Sequence, residues 1–122
     1  KSGKSQLSVM EVDGPEIAKY GVVVPNSKGV GISGLIEKPM SSEAPSNLAS
    51  IGRYLLTPDI FETLLELTTG AGGEFQLADA INIHAKKGFV ETIKLNGSRF
   101  DCGSVSGFIK ATQHEFAKRN VK

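Results

Sequence analysis

The sequence lacks the features that would place it among disulfide-stabilised, membrane or nucleic-acid-binding proteins. Its single cysteine, Cys102, cannot form an internal disulfide, which fits a reducing compartment, and we expect a cytoplasmic location. No apolar run approaches the roughly 18 residues that a membrane-spanning helix needs. No signal-peptide pattern opens the chain. The formal net charge of +1 gives no compositional argument for nucleic acid or a membrane surface, so we expect neither as a partner.

What the sequence does contain is the composition of one small globular domain. Its 122 residues are 39% hydrophobic and 22% charged, which allows a buried core and argues against disorder. There is no internal repeat and no low-complexity segment. The chain does not begin with Met, and residues 1–4 lack the signals of a natural N-terminus. We therefore expect it to be part of a longer protein.

Strand-like and helix-like segments alternate along the chain, which favours an α/β fold. Asn96-Gly97 predicts a tight hairpin whose returning strand is residues 98–100. Turn residues at 26–29 favour an antiparallel pair between the strands on either side of them. Because hairpins are interleaved with helices, we predict a layered, mixed β-sheet with flanking helices. The other predicted strands, all β-branched or alternating segments, are residues 7–12, 20–24, 30–36, 48–56 and 89–95.

Three helices are predicted from apolar residues at helical spacing. The first opens at Thr57-Pro58-Asp59, with Thr57 as its N-cap and Pro58 at the first helical position. An apolar stripe is typical of a helix face that packs against a core. The second helix covers about residues 76–87 and the third about residues 104–118. The three stripes are Ile60, Phe61, Leu64 and Leu65; then Leu77, Ala80, Ile81 and His84; then Val105, Phe108, Ile109, Thr112 and Phe116.

An acidic and a basic residue stand side by side where the third predicted strand ends. Glu37 and Lys38 follow the apolar pair Leu35-Ile36, and Pro39 stops the strand. Neighbours on a strand point to opposite faces, so both enter one pocket only if the strand ends there. A carboxylate can accept hydrogen bonds from sugar hydroxyls while an ammonium contacts a phosphate, which suits a sugar phosphate. From the residues alone, a solvated pair at a strand terminus remains the alternative.

Asp101 follows the last predicted strand and precedes a glycine and a helix. Ligands of α/β folds bind at this end of the strands, and a carboxylate there can hold Mg²⁺ together with substrate phosphates. A helix N-cap is the alternative role, for which Asp101 or Ser104 would serve. No set of His, Cys, Asp and Glu residues has metal-site spacing. Separately, Gly52 in the interior of a strand marks a bulge or the close approach of a ligand.

Five segments, taken in order and spacing, resemble the C-terminal half of bacterial UTP–glucose-1-phosphate uridylyltransferases, also called UDP-glucose pyrophosphorylases. Each segment alone is weakly specific, but the five in register are highly specific. The resemblance covers nearly the whole chain and implies the C-terminal part of a Rossmann-like nucleotidyltransferase fold. The segments are residues 20–23, residues 36–39, residues 45–49 with 52–54, residues 73–81 and residues 100–103.

The resemblance implies an enzyme that forms UDP-glucose and pyrophosphate from UTP and glucose 1-phosphate, and a homo-oligomer, either a dimer or a tetramer. By the family pattern, Glu37 would bind sugar hydroxyls, Lys38 would bind and align the sugar's phosphate, and Asp101 would help hold the catalytic Mg²⁺. Residues 1–122 would be the sugar-phosphate-binding part. The N-terminal nucleotide-binding half would be absent, and the chain alone would be inactive. The remaining implied sugar-pocket residues are Asn47, Ser50, Gly52, Glu74 and Gln76.

Two other functions stay open at this point. One is a related nucleotidyltransferase that uses dTTP or CTP, because base-reading residues would lie mostly in the absent half. The other is a non-catalytic sugar-phosphate-binding or assembly module. Such a module would keep Glu37 and Lys38 but could dispense with Asp101.

Overall fold

Five strands form one mixed sheet in the computed structural model, which describes residues 2–28, 31–67 and 76–120. These strands are β1 (Ser5–Glu11), β2 (Gly21–Pro25), β3 (Ile32–Glu37), β4 (Leu48–Leu55) and β5 (Val90–Lys94). Their order across the sheet is β3-β2-β4-β1-β5, with β1 parallel to β5 and the other neighbours antiparallel. The predicted α/β fold with a mixed sheet is therefore confirmed, as is the antiparallel pairing of β2 with β3.

The described part of the chain also contains the helices α1 (Ile60–Glu66), α2 (Leu77–Lys86) and α3 (Val105–Asn120). Helix α2 packs against β3, β5 and α1. Its stripe is buried at Ala80 and Ile81, which confirms the prediction for this helix. Among these three helices, none is long and apolar enough to cross a membrane.

The main core lies between one face of the sheet and the helices α1 and α2. Alternation along β1 explains the contribution of that strand, because Leu7 and Val9 are buried while the residues between and after them are only partly covered. Fully burying such an aliphatic side chain contributes about 1.5–3 kcal/mol. The main core consists of Leu7, Val9, Val23, Ile32, Leu35, Ile60, Ala80, Ile81, Ala85 and Val90. A smaller cluster consists of Ile17, Val22 and Ala49.

Strand β3 is an edge of the sheet, and a helix side chain occupies its open side. The backbone N–H of Leu35 donates to Asn82 Oδ1 at 2.6 Å, and Asn82 Nδ2 donates to the Leu35 carbonyl at 3.0 Å. The amide of Asn82 therefore satisfies both backbone groups that a further strand would otherwise pair. This contact fixes β3 to α2 two residues before Glu37.

The segment after β5 differs from the prediction. Residues 98–100 do not form a strand, so the predicted Asn96-Gly97 hairpin is wrong. The N–H of Leu95 donates to the carbonyl of Val9 at 2.8 Å, so the pairing with β1 extends one residue past β5. Beyond the turn, Arg99 contacts Tyr20 just before β2 instead of returning beside β5. A returning strand of three residues would bring one apolar side chain, Phe100, which is too little surface to hold a sixth strand in place.

Helix α3 forms as predicted, but its apolar stripe does not pack. No residue of α3 is buried, and Val105, Phe108 and Phe116 are 79%, 61% and 68% exposed. The prediction that this stripe faces a core is therefore wrong within the described residues. The sequence pattern indicates that the helix has an apolar face, but it does not indicate which surface that face packs against.

Helix α1 begins later than predicted. Thr57 is not its N-cap, because the helix starts at Ile60 after a turn in which the Ile60 N–H donates to the Thr57 carbonyl at 3.1 Å. The Thr57 hydroxyl instead lies 3.1 Å from the buried hydroxyl of Ser5, a long-range partner that local sequence could not reveal. Ile60 is buried, but Phe61 and Leu65 of the predicted stripe are exposed, so the stripe is only partly correct.

Candidate functional site

A cavity of about 260 Å³ lies where β2 begins, β3 ends and β4 bends. Three residues singled out from the sequence, Glu37, Ser50 and Gly52, line this cavity together. They are separated in sequence and meet because the ends of β3 and the middle of β4 flank the start of β2. The cavity is also lined by residues to which the sequence analysis gave no individual role, among them Lys19, Tyr20, Gly21, Tyr54 and Arg99.

Glu37 occupies its place because its cross-strand neighbour has no side chain. Gly21 is paired with Glu37 in the antiparallel ladder of β2 and β3. A Cβ atom at Gly21 would lie 2.9 Å from Glu37 Oε2, closer than real Cβ contacts allow. The missing side chain therefore leaves room for the carboxylate over β2. A glycine directly before a β-branched run is the sequence signal that could have revealed this contribution.

Lys38 leaves the strand through an unusual backbone conformation. Its φ of 45° makes it the one non-glycine residue with positive φ in the described ranges. The Lys38 N–H donates to the Tyr20 carbonyl at 3.0 Å, and Pro39 follows in a buried position. A left-handed conformation costs a non-glycine residue about 1–2 kcal/mol, and such strain is concentrated at functional sites. The strand thus ends at Glu37, as predicted, and Lys38 lies exposed just beyond it.

Strand β4 bulges beside the cavity at Gly52. Leu7 of β1 lies opposite Tyr54, yet Val9 lies opposite Ser50, so β4 carries extra residues between these two pairs. Gly52 has a φ of 75°, a left-handed conformation that glycine adopts without steric cost. The bulge that Gly52 predicted is confirmed, and it brings this residue to the cavity wall.

Ser50 carries a polar group that the described residues leave unsatisfied. The side chain is 9% exposed, and its Oγ has no hydrogen-bond partner in the part of the chain that the structure describes. A buried hydroxyl without a partner costs about 1–3 kcal/mol. The combination of an unpartnered hydroxyl and a nearby carboxylate lining one cavity is suited to a ligand that carries hydroxyl groups.

Asp101 lies on the exposed loop that leads into α3. Its Oδ1 accepts a hydrogen bond from the Gly103 N–H at 3.0 Å. Ser104, not Asp101, is the side chain that caps the helix, because Ser104 Oγ accepts from the Gly107 N–H at 3.1 Å. The carboxylate of Glu16 raises the pKa of Lys19, and the negative charge of Asp101 contributes in the same direction. Asp101 itself does not line the cavity, but it lies two residues after Arg99, which does.

The described residues fit a metal ion only with help from a substrate. Across residues 2–28, 31–67 and 76–120, no group of three or more His, Cys, Asp or Glu residues could hold a metal ion. Mg²⁺, however, is commonly bound by one or two carboxylates together with substrate phosphates and water. An exposed carboxylate such as that of Asp101 suits this mode of binding, with the remaining ligands supplied from elsewhere.

Among the other sequence-predicted site residues that the structure describes, Lys38, Asn47 and Gln76 do not line this cavity. Asn47 donates through Nδ2 to Asp13 Oδ1 at 3.1 Å and lines a separate cavity of about 400 Å³. Gln76 is exposed at the N-cap position of α2. Glu74 lies outside the described residues. Their roles in sugar binding stay predictions.

Comparison with known proteins places the chain in a family. Residues 1–118 match the sequence profile of the family described as nucleotidyl transferase, and the chain belongs to this family. Within it, the chain is similar to UTP–glucose-1-phosphate uridylyltransferases. It is 49% identical to the protein from Pseudomonas aeruginosa over 109 residues, which cover 87% of this chain and 39% of that protein. It is 40% identical to the protein from Streptococcus pyogenes over 131 residues, which cover 100% of this chain and 43% of that protein.

The fold is similar as well. A crystal structure of UDP-glucose pyrophosphorylase complexed with UDP-glucose matches with a TM-score of 0.81 and 43% sequence identity. The match covers 94% of this chain and 45% of that structure. The chain thus spans less than half the length of the relatives it matches, between 39% and 43% for the two curated proteins.

Proposed function

We propose that this chain is the sugar-phosphate-binding part of a nucleotidyltransferase that forms UDP-glucose and pyrophosphate from UTP and glucose 1-phosphate. The observation that carries the proposal is the cavity lined by Glu37 and by the unpartnered, buried hydroxyl of Ser50. A sugar hydroxyl could satisfy Ser50 and donate to Glu37. The names of the two curated relatives favour glucose 1-phosphate as the sugar phosphate and UTP over dTTP or CTP as the nucleotide.

The proposed reaction is a nucleotidyl transfer in which the protein mainly positions and neutralises charged groups. A phosphate oxygen of glucose 1-phosphate forms a bond to the α-phosphorus of UTP. The bond from that phosphorus to the oxygen bridging the α- and β-phosphates breaks, and pyrophosphate leaves. Glu37 and Ser50 would hold the sugar hydroxyls, and Gly52 would let the backbone approach the ring. Lys38 would bind the sugar's phosphate and align its attacking oxygen.

Asp101 would hold Mg²⁺ together with substrate phosphates. When bound, Mg²⁺ would neutralise charge on the phosphates at which the bond is exchanged. We place Asn47, Glu74 and Gln76 in a wider glucose pocket, as the resemblance to the family implies. Nucleotide binding would come from residues outside these 122, so we expect no turnover by this chain alone. We also propose a cytoplasmic homo-oligomer, and the exposed thiol of Cys102 suits that reducing compartment.

Titration calorimetry with glucose 1-phosphate, with and without Mg²⁺, tests the proposal. The native protein should bind, and Glu37→Ala should weaken binding about tenfold or more because a charge-assisted hydrogen bond to the sugar is lost. Asp101→Ala should remove the Mg²⁺-dependent part of the affinity alone. Glu43→Ala is the matched control, since Glu43 is exposed and lies outside the lining of the cavity.

Two results would contradict this function. One is an absence of binding by the native protein, and the other is equal binding by native protein and Glu37→Ala. Formation of UDP-glucose by this polypeptide, free of contaminating enzyme, would contradict the proposed division between a sugar part and a nucleotide part.

A further inference from the structure

We infer that Arg99, held in place by Tyr20, is a second cationic contact for the phosphate of the bound sugar phosphate, beside Lys38. The inference rests on the proposed function, because it assigns a further residue to the same cavity. Neither the sequence motifs nor the resemblance to the family assigned a role to Arg99. The structure places it in the cavity wall together with Glu37 and Ser50.

Two contacts hold the Arg99 guanidinium against Tyr20. Its Cζ atom lies 5.5 Å from the centroid of the Tyr20 ring, within the range of a cation–π interaction. Its Nη1 also donates to the Tyr20 hydroxyl at 3.4 Å. Tyr20 is in turn joined to Lys38, because its carbonyl accepts from the Lys38 N–H. One tyrosine therefore anchors Arg99 by its side chain and Lys38 by its backbone.

The charges around the cavity favour an anion as the partner of Arg99. Lys19, the other cation of the wall, already forms an ion pair with Glu16 at 2.7 Å. In the described part of the chain, Arg99 lies within 4.0 Å of no carboxylate oxygen. A guanidinium presents several planar donors that match phosphate oxygens, and the contact with Tyr20 engages one of its terminal nitrogens.

The position of Arg99 also matches the order of groups in the ligand. Glu37 would bind the sugar, and Asp101, two residues after Arg99, would hold the metal. In a sugar 1-phosphate bound this way, the phosphate must lie between the sugar ring and the metal. Arg99 lines the cavity together with Glu37 and lies on the same loop as Asp101. Its guanidinium is therefore close to the expected position of the phosphate.

The alternative is that Arg99 only ties residues 98–100 to the sheet. These residues form no strand, and the contact with Tyr20 would then be purely structural. The two roles differ in ligand dependence. A phosphate contact affects glucose 1-phosphate but not glucose, whereas a structural tie affects both ligands or neither.

The test is an NMR titration of the protein with glucose 1-phosphate and, separately, with glucose, which measures weak binding as well as strong. Arg99→Gln should weaken glucose 1-phosphate binding about tenfold or more and leave glucose binding unchanged. Arg99→Lys should lose less, because the charge remains without the planar fork. Tyr20→Phe keeps the ring but loses the hydroxyl, and should weaken glucose 1-phosphate binding about two- to threefold. Arg53→Gln is the control, since Arg53 lines a neighbouring cavity and not this one.

The outcomes separate this inference from the proposed function. Native protein that binds glucose 1-phosphate while Arg99→Gln binds it equally well would overturn the role of Arg99 and leave the proposed function standing. Equal weakening of glucose and glucose 1-phosphate in Arg99→Gln would show a structural tie and also overturn the role. Native protein that does not bind glucose 1-phosphate would overturn the proposed function and the role of Arg99 with it.

Discussion

Helices α2 and α3 each carry apolar residues at helical spacing, but only α2 is packed against the rest of the fold. The stripe of α2 is buried at Ala80, Ile81 and Ala85 against the sheet and α1. The stripe of α3 buries no residue at all. An apolar stripe therefore predicts that a helix has a face to cover, and only the fold decides whether the chain supplies the cover.

The two sides of the proposed site differ in the same way, because one is packed on the sheet and the other is exposed. Its sugar side is built on the sheet, where paired strands and the Asn82 contact fix Glu37, Ser50 and Gly52. On its phosphate side, Arg99 and Asp101 lie on the loop that precedes α3, which has no strand structure. Besides the Arg99–Tyr20 contact, this loop is held by Phe100, whose ring centroid lies 5.1 Å from that of His114 in α3. The sugar side should consequently be the more rigid of the two.

The largest expected effect on stability comes from shortening a buried side chain of α2. Ile81 is 1% exposed in the main core. Ile81→Ala should lower the free energy of unfolding by about 2–5 kcal/mol through lost burial and a residual cavity. Urea denaturation followed by circular dichroism measures the change. A loss below about 1 kcal/mol would show that the core can collapse around the shortened side chain. It would also weaken the expected difference in stabilisation between α2 and α3.

Removing the amide of Asn82 should have the next largest effect. Asn82→Leu leaves the N–H and carbonyl of Leu35 without their partner, at a cost of about 1–3 kcal/mol in unfolding free energy. Asn120→Leu in α3 is the matched control and should change stability little, because within the described residues Asn120 donates only to a carbonyl of its own exposed helix. Equal losses in the two variants would remove the argument that Asn82 supports β3.

Gly21→Ala should separate binding from stability. The new Cβ would meet the Glu37 carboxylate at 2.9 Å, and this flexible side chain can move away at small cost to the fold. We expect glucose 1-phosphate binding to weaken about tenfold, equivalent to about 1.4 kcal/mol, while the unfolding free energy changes by less than about 0.5 kcal/mol. Calorimetry and urea denaturation on the same variant test both parts. Unchanged binding would place the sugar away from Glu37.

The smallest effect should come from α3. Ile109→Ala repeats the chemistry of Ile81→Ala on a side chain that is 49% exposed. It should change the unfolding free energy of this chain by less than about 0.5 kcal/mol. A loss as large as that of Ile81→Ala would contradict the exposed position of α3.

Local sequence signals predicted the parts of the fold that depend on local structure. The strands, the bulge at Gly52 and the end of β3 before Lys38 follow from alternation, glycine and proline. The errors arose where distant contacts decide. The Thr57 hydroxyl pairs with Ser5 rather than capping a helix. The hairpin signal at 96–97 could not reveal that Arg99 contacts the distant Tyr20.

The candidate site was predicted in a similar way. Glu37, Ser50 and Gly52, all predicted from the sequence, share one cavity. Arg99 was missed because it reaches Tyr20 across a separation of 79 residues, which no local pattern encodes. Asn47, by contrast, belongs to a suggestive motif but bonds to Asp13 at another cavity.

The proposed function depends above all on where glucose 1-phosphate binds. An isotope-labelled sample titrated with glucose 1-phosphate reports on each backbone amide. We expect shifts concentrated at Gly21, Glu37 and Gly52, which line the 260 Å³ cavity. Shifts confined to the 400 Å³ cavity, with none at Gly21, Glu37 or Gly52, or no shifts at all, would contradict this location.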